Sequence, residues 1–190
     1  MKLAYYDLET WDLSPEFGPL LCVSALCVDI TKWTKKMVSL RQDTYVRKGL
    51  AEDMTDDRQL AIDARDMLEN HHLISAFYGK GFDSSFLNTR LIYHGERKVK
   101  STLYFDPHWA HKGWRGIKPK SGSLKNVAAF YGFEEEKFDV SPETWLKARG
   151  GNKKAMDLVQ KRCESDVRLL AFVGHMTLEN RLVANIGVYP

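Results

Sequence analysis

The sequence predicts an α/β fold built around a mixed sheet, and three observations carry that prediction. Short apolar runs occur at Lys2–Tyr6, Pro19–Asp29 and Lys36–Leu40, separated by polar turns, a spacing that suits an antiparallel meander of three strands. From Asp56 onward, helical patterns alternate with short apolar runs. The composition, 44% hydrophobic and 28% charged over 190 residues, is that of a chain able to bury a sizeable core, so residues 1–190 are expected to form one domain.

Each element follows from a local signal. Lys2-Leu3-Ala4-Tyr5-Tyr6 delivers Asp7-Leu8-Glu9 at its end, and Pro15 and Gly18 mark the next turn. Asp56–Asn70 places Leu60, Ala61, Ala64, Met67 and Leu68 at helical spacing among charges, the pattern of an amphipathic helix. Leu73–Tyr78 reads as a buried strand broken by Gly79 and Gly81. Phe82–Tyr93 follows as a helix with Phe82, Phe86, Leu87 and Leu91 in one stripe, and Thr102–Phe105 is a further short strand. After a polar stretch from Asp106 to Gly122, short helices are expected over Ser123–Tyr131 and Ser141–Ala148, and a long one over Lys153–Leu178. No run approaches the roughly 18 apolar residues of a membrane span. Asp7 comes too early for a signal peptide. Cys22, Cys27 and Cys163 lack metal-ligand spacing and read as reduced thiols, which suggests a cytoplasmic location.

Four carboxylates occupy costly positions. Asp7 and Glu9 lie two apart at a strand end and leave the same face, where like charges repel unless a cation sits between them. Asp83 follows a glycine-broken strand and opens a helix, either as its N-cap or as a carboxylate at the sheet edge. Asp166 lies beside the apolar stripe Val159, Cys163, Val167, Leu169 and Leu170, where a carboxylate needs a partner; Arg162, one turn earlier, is one candidate and a metal ion is the other. One hypothesis uses all four. Asp7, Glu9, Asp83 and Asp166 would bind two divalent cations, Mg2+ or Mn2+, roughly 3.5–4 Å apart, the arrangement that cleaves phosphodiesters.

Three segments, in order along the chain, resemble the motifs of DEDD-type (DnaQ-like) 3′–5′ exonucleases of the ribonuclease H-like superfamily. Tyr6-Asp7-Leu8-Glu9-Thr10 resembles the first, Gly79-Lys80-Gly81-Phe82-Asp83-Ser84-Ser85-Phe86-Leu87 the second, and Arg162-Cys163-Glu164-Ser165-Asp166-Val167 the third; Ser123–Ala128 resembles the segment after the fifth strand. The resemblance implies a five-stranded mixed sheet, its first three strands antiparallel, flanked by helices. It also implies a metal-dependent exonuclease with Asp7, Glu9, Asp83 and Asp166 as metal ligands. Two departures stand out. The general base expected four residues (Tyr) or five residues (His) before the last Asp is replaced by Arg162 or Lys161, neither a good proton acceptor near neutral pH. The Asn expected four residues before Asp83 is Gly79.

The substrate surface is expected in Asp106–Gly122. Lys112, Arg115, Lys118 and Lys120 outweigh Asp106, giving this stretch the same +3 as the whole chain, and Trp109 and Trp114 interleave them. Basic groups follow phosphates and aromatic rings stack on unpaired bases; the competing reading is a solvated loop whose tryptophans fold onto the core. His108 and His111 are also placed on this surface and, three apart, form a candidate metal pair; Trp11 reads either beside the terminal base or as core, and Lys80 either on a phosphate or as a solvated lysine. The expected partner is single-stranded nucleic acid, DNA ahead of RNA. A catalytically silent binding module with the same fold is the alternative.

Overall fold

The computed structural model describes residues 1–29, 42–46, 56–100, 102–112, 117–133, 138–182 and 186–189. Six strands form one sheet: β1 (Lys2–Thr10), β2 (Leu20–Asp29), β3 (Gln42–Val46), β4 (Leu73–Ser75), β5 (Leu103–Phe105) and β6 (Ile186–Val188), in the order β3-β2-β1-β4-β5-β6. β2 pairs antiparallel with β1 and β3; β4 is parallel to β1 and to β5; β6 closes the edge antiparallel to β5. The expected mixed α/β sheet is present, with one strand more than expected. The strand expected at Lys36–Leu40 lies outside the described residues.

The helices are α1 (Arg58–Glu69), α2 (Asp83–Tyr93), α3 (Pro107–Ala110), α4 (Leu124–Phe130), α5 (Pro142–Arg149) and α6 (Lys153–Glu179). Four begin on side-chain caps: Asp106, Ser123, Ser141 and Asn152 accept the N–H groups of His108, Asn126, Thr144 and Ala155. Two sequence expectations change. The strand predicted to reach Tyr78 stops at Ser75, because the chain turns at Tyr78, whose φ of 61° lies in the left-handed region. The stretch after Asp106 begins as a helix, with Asp106 capping His108 N–H and Pro107 in the first turn.

Strand alternation sorts β1 into two files. Ala4, Tyr6 and Leu8 pack with Leu60, Ala64 and Leu68 of α1 and with Phe86, Leu87 and Leu91 of α2. Leu3 and Tyr5 pack on the other face with Val167, Leu170 and Ala171 of α6. Asp7 and Glu9 continue this second file, so they meet α6 where the apolar layer ends. Close approach of α6 to the sheet depends on Gly174, where a Cβ would fall 2.3 Å from a ring carbon of Tyr5. Farther along, the Cys163 thiol donates to the Asp7 carbonyl at 3.4 Å. The three cysteines are free thiols. No helix among the described residues is long and apolar enough to cross a membrane.

Candidate metal centre and nucleic-acid surface

At the end of β1, Asp7, Glu9 and Asp166 converge. Each offers a carboxylate oxygen, and the three oxygens lie within 4.8 Å of one another. The convergence follows from register: Asp7 and Glu9 occupy the α6-facing file, opposite Ser24 and Cys22 of β2, and Asp166 is on the buried side of α6. Hard oxygen donors gathered at this separation could hold a hard divalent cation.

Asp83 approaches from another direction and stands outside that set of three. β4 ends opposite Tyr5, so the β1 backbone beyond it has lost its ladder partner on that side. The Asp83 carboxylate takes up the slack by accepting the N–H of Leu8, midway between Asp7 and Glu9. Burial pushes its pKa up to about 8; the Leu8 N–H and its own N–H pull it down, while Asp106 and Glu9 push it further up. Burial thus favours the neutral form of Asp83 in the metal-free protein. The N-cap reading is not met: Phe82 holds the cap position without a side-chain bond and Asp83 is the first residue of α2, its carboxylate turned to the sheet edge.

Arg162 fills the space among the acids. Its Nε donates to Glu9 Oε1 at 2.9 Å, one terminal nitrogen lies 3.6 Å from Asp166 Oδ2, and the other donates to Asp139 Oδ1 at 3.5 Å. Its carbon stands 6.0 Å from the centre of the Trp145 ring. Burial alone would lower its pKa, but Glu9 and Asp166 outweigh that and raise it, so it accepts no proton near neutral pH. Lys161 is exposed.

Asp106, read from the sequence only as the lone acid of a basic stretch, is buried at the end of β5. Oδ1 accepts the N–H groups of Tyr78 and His108 at 3.0 Å each, and Tyr104 O–H approaches Oδ2 at 3.4 Å. Burial lifts its pKa to about 6 against these donors. Asp106 thereby holds Tyr78 in its left-handed turn, with the ring 44% exposed. The neighbouring Gly79 is needed there, since a Cβ would fall 2.4 Å from the Tyr104 hydroxyl and 2.5 Å from Ala76 Cβ. The Asn of the resembled motif has no room in this turn.

The Tyr78 ring belongs to an aromatic surface. Trp109, 45% exposed, lies 6.1 Å from it, and Lys112 Nζ stands 5.9 Å from the Tyr78 ring centre and 5.1 Å from that of Trp109. Lys80 is exposed and lies 5.7 Å from the Tyr104 ring. Lys118 and Lys120 are exposed, whereas Trp114 and Arg115 fall outside the described residues. The two histidines expected at the substrate turn inward. His111 has Nδ1 2.7 Å from the Pro107 carbonyl and Nε2 2.9 Å from the Tyr131 hydroxyl. His108 is buried edge-on against Phe77 and Trp109, and desolvation lowers the pKa of both imidazoles. Their place in a helix seeded by Asp106, not in an irregular loop, is the reason. Trp11 is half-buried against the Leu21–Cys22–Met156 cluster.

Beneath Asp83 lies a buried hydroxyl network that sequence reasoning missed. Tyr6 O–H is 3.0 Å from Ser84 Oγ and 3.4 Å from the hydroxyl of Tyr189, which β6 carries to this wall. β6 is three residues long, too short to leave a periodic signal.

Comparisons with known proteins agree with this architecture. A model of the RNase_H superfamily matches residues 4–177. No curated protein matches. Among solved structures, the family B DNA polymerase from the hyperthermophilic archaeon Pyrobaculum calidifontis superposes with a TM-score of 0.72 at 15% identity, over 96% of this chain and 25% of that one. The chain thus spans about a quarter of that polymerase, and at this identity the likeness concerns the fold. With the family match running through all three acidic segments, the chain belongs to the RNase H superfamily.

Proposed function

We propose that the protein is a DEDD-type 3′–5′ exonuclease that releases nucleotides from single-stranded or frayed DNA, with RNA as the lesser substrate. The observation that carries this reading is the convergence of Asp7, Glu9 and Asp166 oxygens within 4.8 Å, with Asp83 bound to the backbone between the first two, inside an RNase H superfamily fold. Asp7, Glu9, Asp83 and Asp166 would hold two divalent cations, which when bound supply an activated water and neutralise charge on the scissile phosphate.

The rest falls to the chain's own groups. Exposed Tyr78 and Trp109 offer ring faces to unpaired bases, and Lys80 and Lys112 offer charge to the phosphates of the same strand. Tyr104, Tyr189 and Tyr6 keep the inner side of Asp83 dry, which favours a neutral Asp83 until a cation takes its proton's place. Arg162 and Lys161 supply no general base. That departure favours a second reading, a silent module that binds single strands in the same place.

The test is degradation of a 5′-labelled single-stranded oligonucleotide with magnesium, manganese or chelator, using wild type and Asp7→Ala. A metal-dependent ladder shortening from the 3′ end, lost in Asp7→Ala, is the expected result. An oligonucleotide that stays intact under every metal condition yet binds tightly would replace the exonuclease with the binding module.

A further inference from the structure

Arg162 makes the same demands on the acidic cluster that a metal ion would. Its guanidinium engages Glu9 Oε1 at 2.9 Å and Asp166 Oδ2 at 3.6 Å, two of the three carboxylates whose oxygens converge. The cluster contains three carboxylates and this arginine, so a positive charge already occupies part of the space between β1 and α6. A guanidinium and a divalent cation on the same two carboxylates repel each other and compete for the same lone pairs.

The surroundings offer the arginine somewhere else to go. Asp139 accepts from its other terminal nitrogen at 3.5 Å, and its carboxylate is 72% exposed, toward solvent. The Trp145 ring lies 6.0 Å from the guanidinium carbon, at the outer reach of a cation–π contact. A side chain with several rotatable bonds can therefore exchange Glu9 and Asp166 for Asp139 and the Trp145 face without moving α6.

We propose that Arg162 is a built-in, displaceable competitor of the metal: it holds Glu9 and Asp166 together in the metal-free protein and withdraws to Asp139 and Trp145 when a divalent cation binds. This rests on the metal-centre reading above. Arg162 is a positioning residue that sets how much free cation is needed to load the site, so the protein stays folded and its acids stay paired when the cation is scarce.

The experiment is Mn2+ binding to the full chain, followed by the loss of the free-ion electron paramagnetic resonance signal. It compares wild type, Arg162→Gln, Arg162→Lys and Asp139→Asn, with unfolding monitored in chelator. Arg162→Gln should bind Mn2+ at least tenfold more tightly than wild type and melt at a lower temperature in chelator. Arg162→Lys, which keeps the charge, should stay near wild type. Asp139→Asn removes the exposed resting place and should weaken Mn2+ binding severalfold without changing the melting temperature in chelator. If Arg162→Gln does not fold without metal, the Asp139→Asn result decides alone. Equal Mn2+ affinity in wild type, Arg162→Gln and Asp139→Asn would overturn the proposal while leaving the metal centre intact. Absence of Mn2+ binding in every variant would remove the metal centre, and the proposal with it.

Discussion

Two arginine–carboxylate groupings occupy opposite ends of the design. At one, Asp57 ahead of α1 is fully enclosed: it accepts Leu20 N–H at 2.6 Å, both Nε and a terminal nitrogen of Arg90, and lies 2.6 Å from His94 Nε2. Arg90 also donates to the Pro15 carbonyl, and both charged side chains are almost wholly buried. One carboxylate there meets a full complement of donors and ties α1, α2 and the start of β2 together. At the other grouping, one arginine faces Glu9, Asp166 and the neighbouring Asp7, and its side chain is 22% exposed. The first is electrically closed and serves the fold. The second has more acid than base, and that excess of negative charge is what the proposed metal site would neutralise.

The sharpest way to break that comparison is to remove one acid from each. Asp57→Ala strands a buried Arg90 and should cost about 3–5 kcal/mol in urea unfolding. Asp166→Asn in chelator should cost no more than about 1 kcal/mol, because it also relieves repulsion from Asp7 and Glu9. Equal losses would mean that both groupings are structural. If the open site faces a nucleic-acid strand, Tyr78→Ala should weaken single-strand binding by about 1–3 kcal/mol, read by fluorescence anisotropy. An unchanged affinity would remove the aromatic surface from the substrate path.

A further test concerns pH. In chelator, Asp83 has a folded-state pKa near 8, well above its ordinary 3.8, so between those values the folded protein holds a proton that the unfolded chain has lost. Its contribution to stability is fully present below the unfolded value and is lost as pH rises toward 8. Asp106, lifted to about 6, acts in the same direction over the lower part of that window. The melting temperature of Asp83→Asn relative to wild type should therefore climb from pH 5 to pH 8. A flat difference would mean that Asp83 is ionised throughout and already paired.

The parts of the site that were legible in the sequence were those with a local signature. The Asp7–Glu9 pair could be placed on one face of a strand by period two, and Asp166 beside a helix stripe by period 3.6. The mixed sheet followed from strand-like runs and their spacing. What was illegible depended on distant partners or on backbone shape. Arg162 was visible as a neighbour of Asp166 on its own helix, but its bond to Glu9 spans 153 positions. Asp57 carries no sign of Arg90 or His94 in sequence, lying 33 and 37 positions before them. Asp106 looked like a stray acid because its donors, the Tyr78 and His108 N–H groups, exist only after the chain has turned. The inward turn of His108 and His111 follows from that same cap.

Gly174 carries a consequence beyond packing. It lets the long helix rest directly on the Tyr5 ring, and that same helix carries Asp166 to the end of β1. The thickness of one missing methyl group thus helps set the gap between carboxylates rooted in the sheet and the one rooted in the helix. In the proposed metal site, a bound cation would have to span that gap. A bulkier residue at 174 would lift the helix and tilt the preference of the cluster from small cations toward large ones, making a residue remote from the chemistry a gauge for ion size.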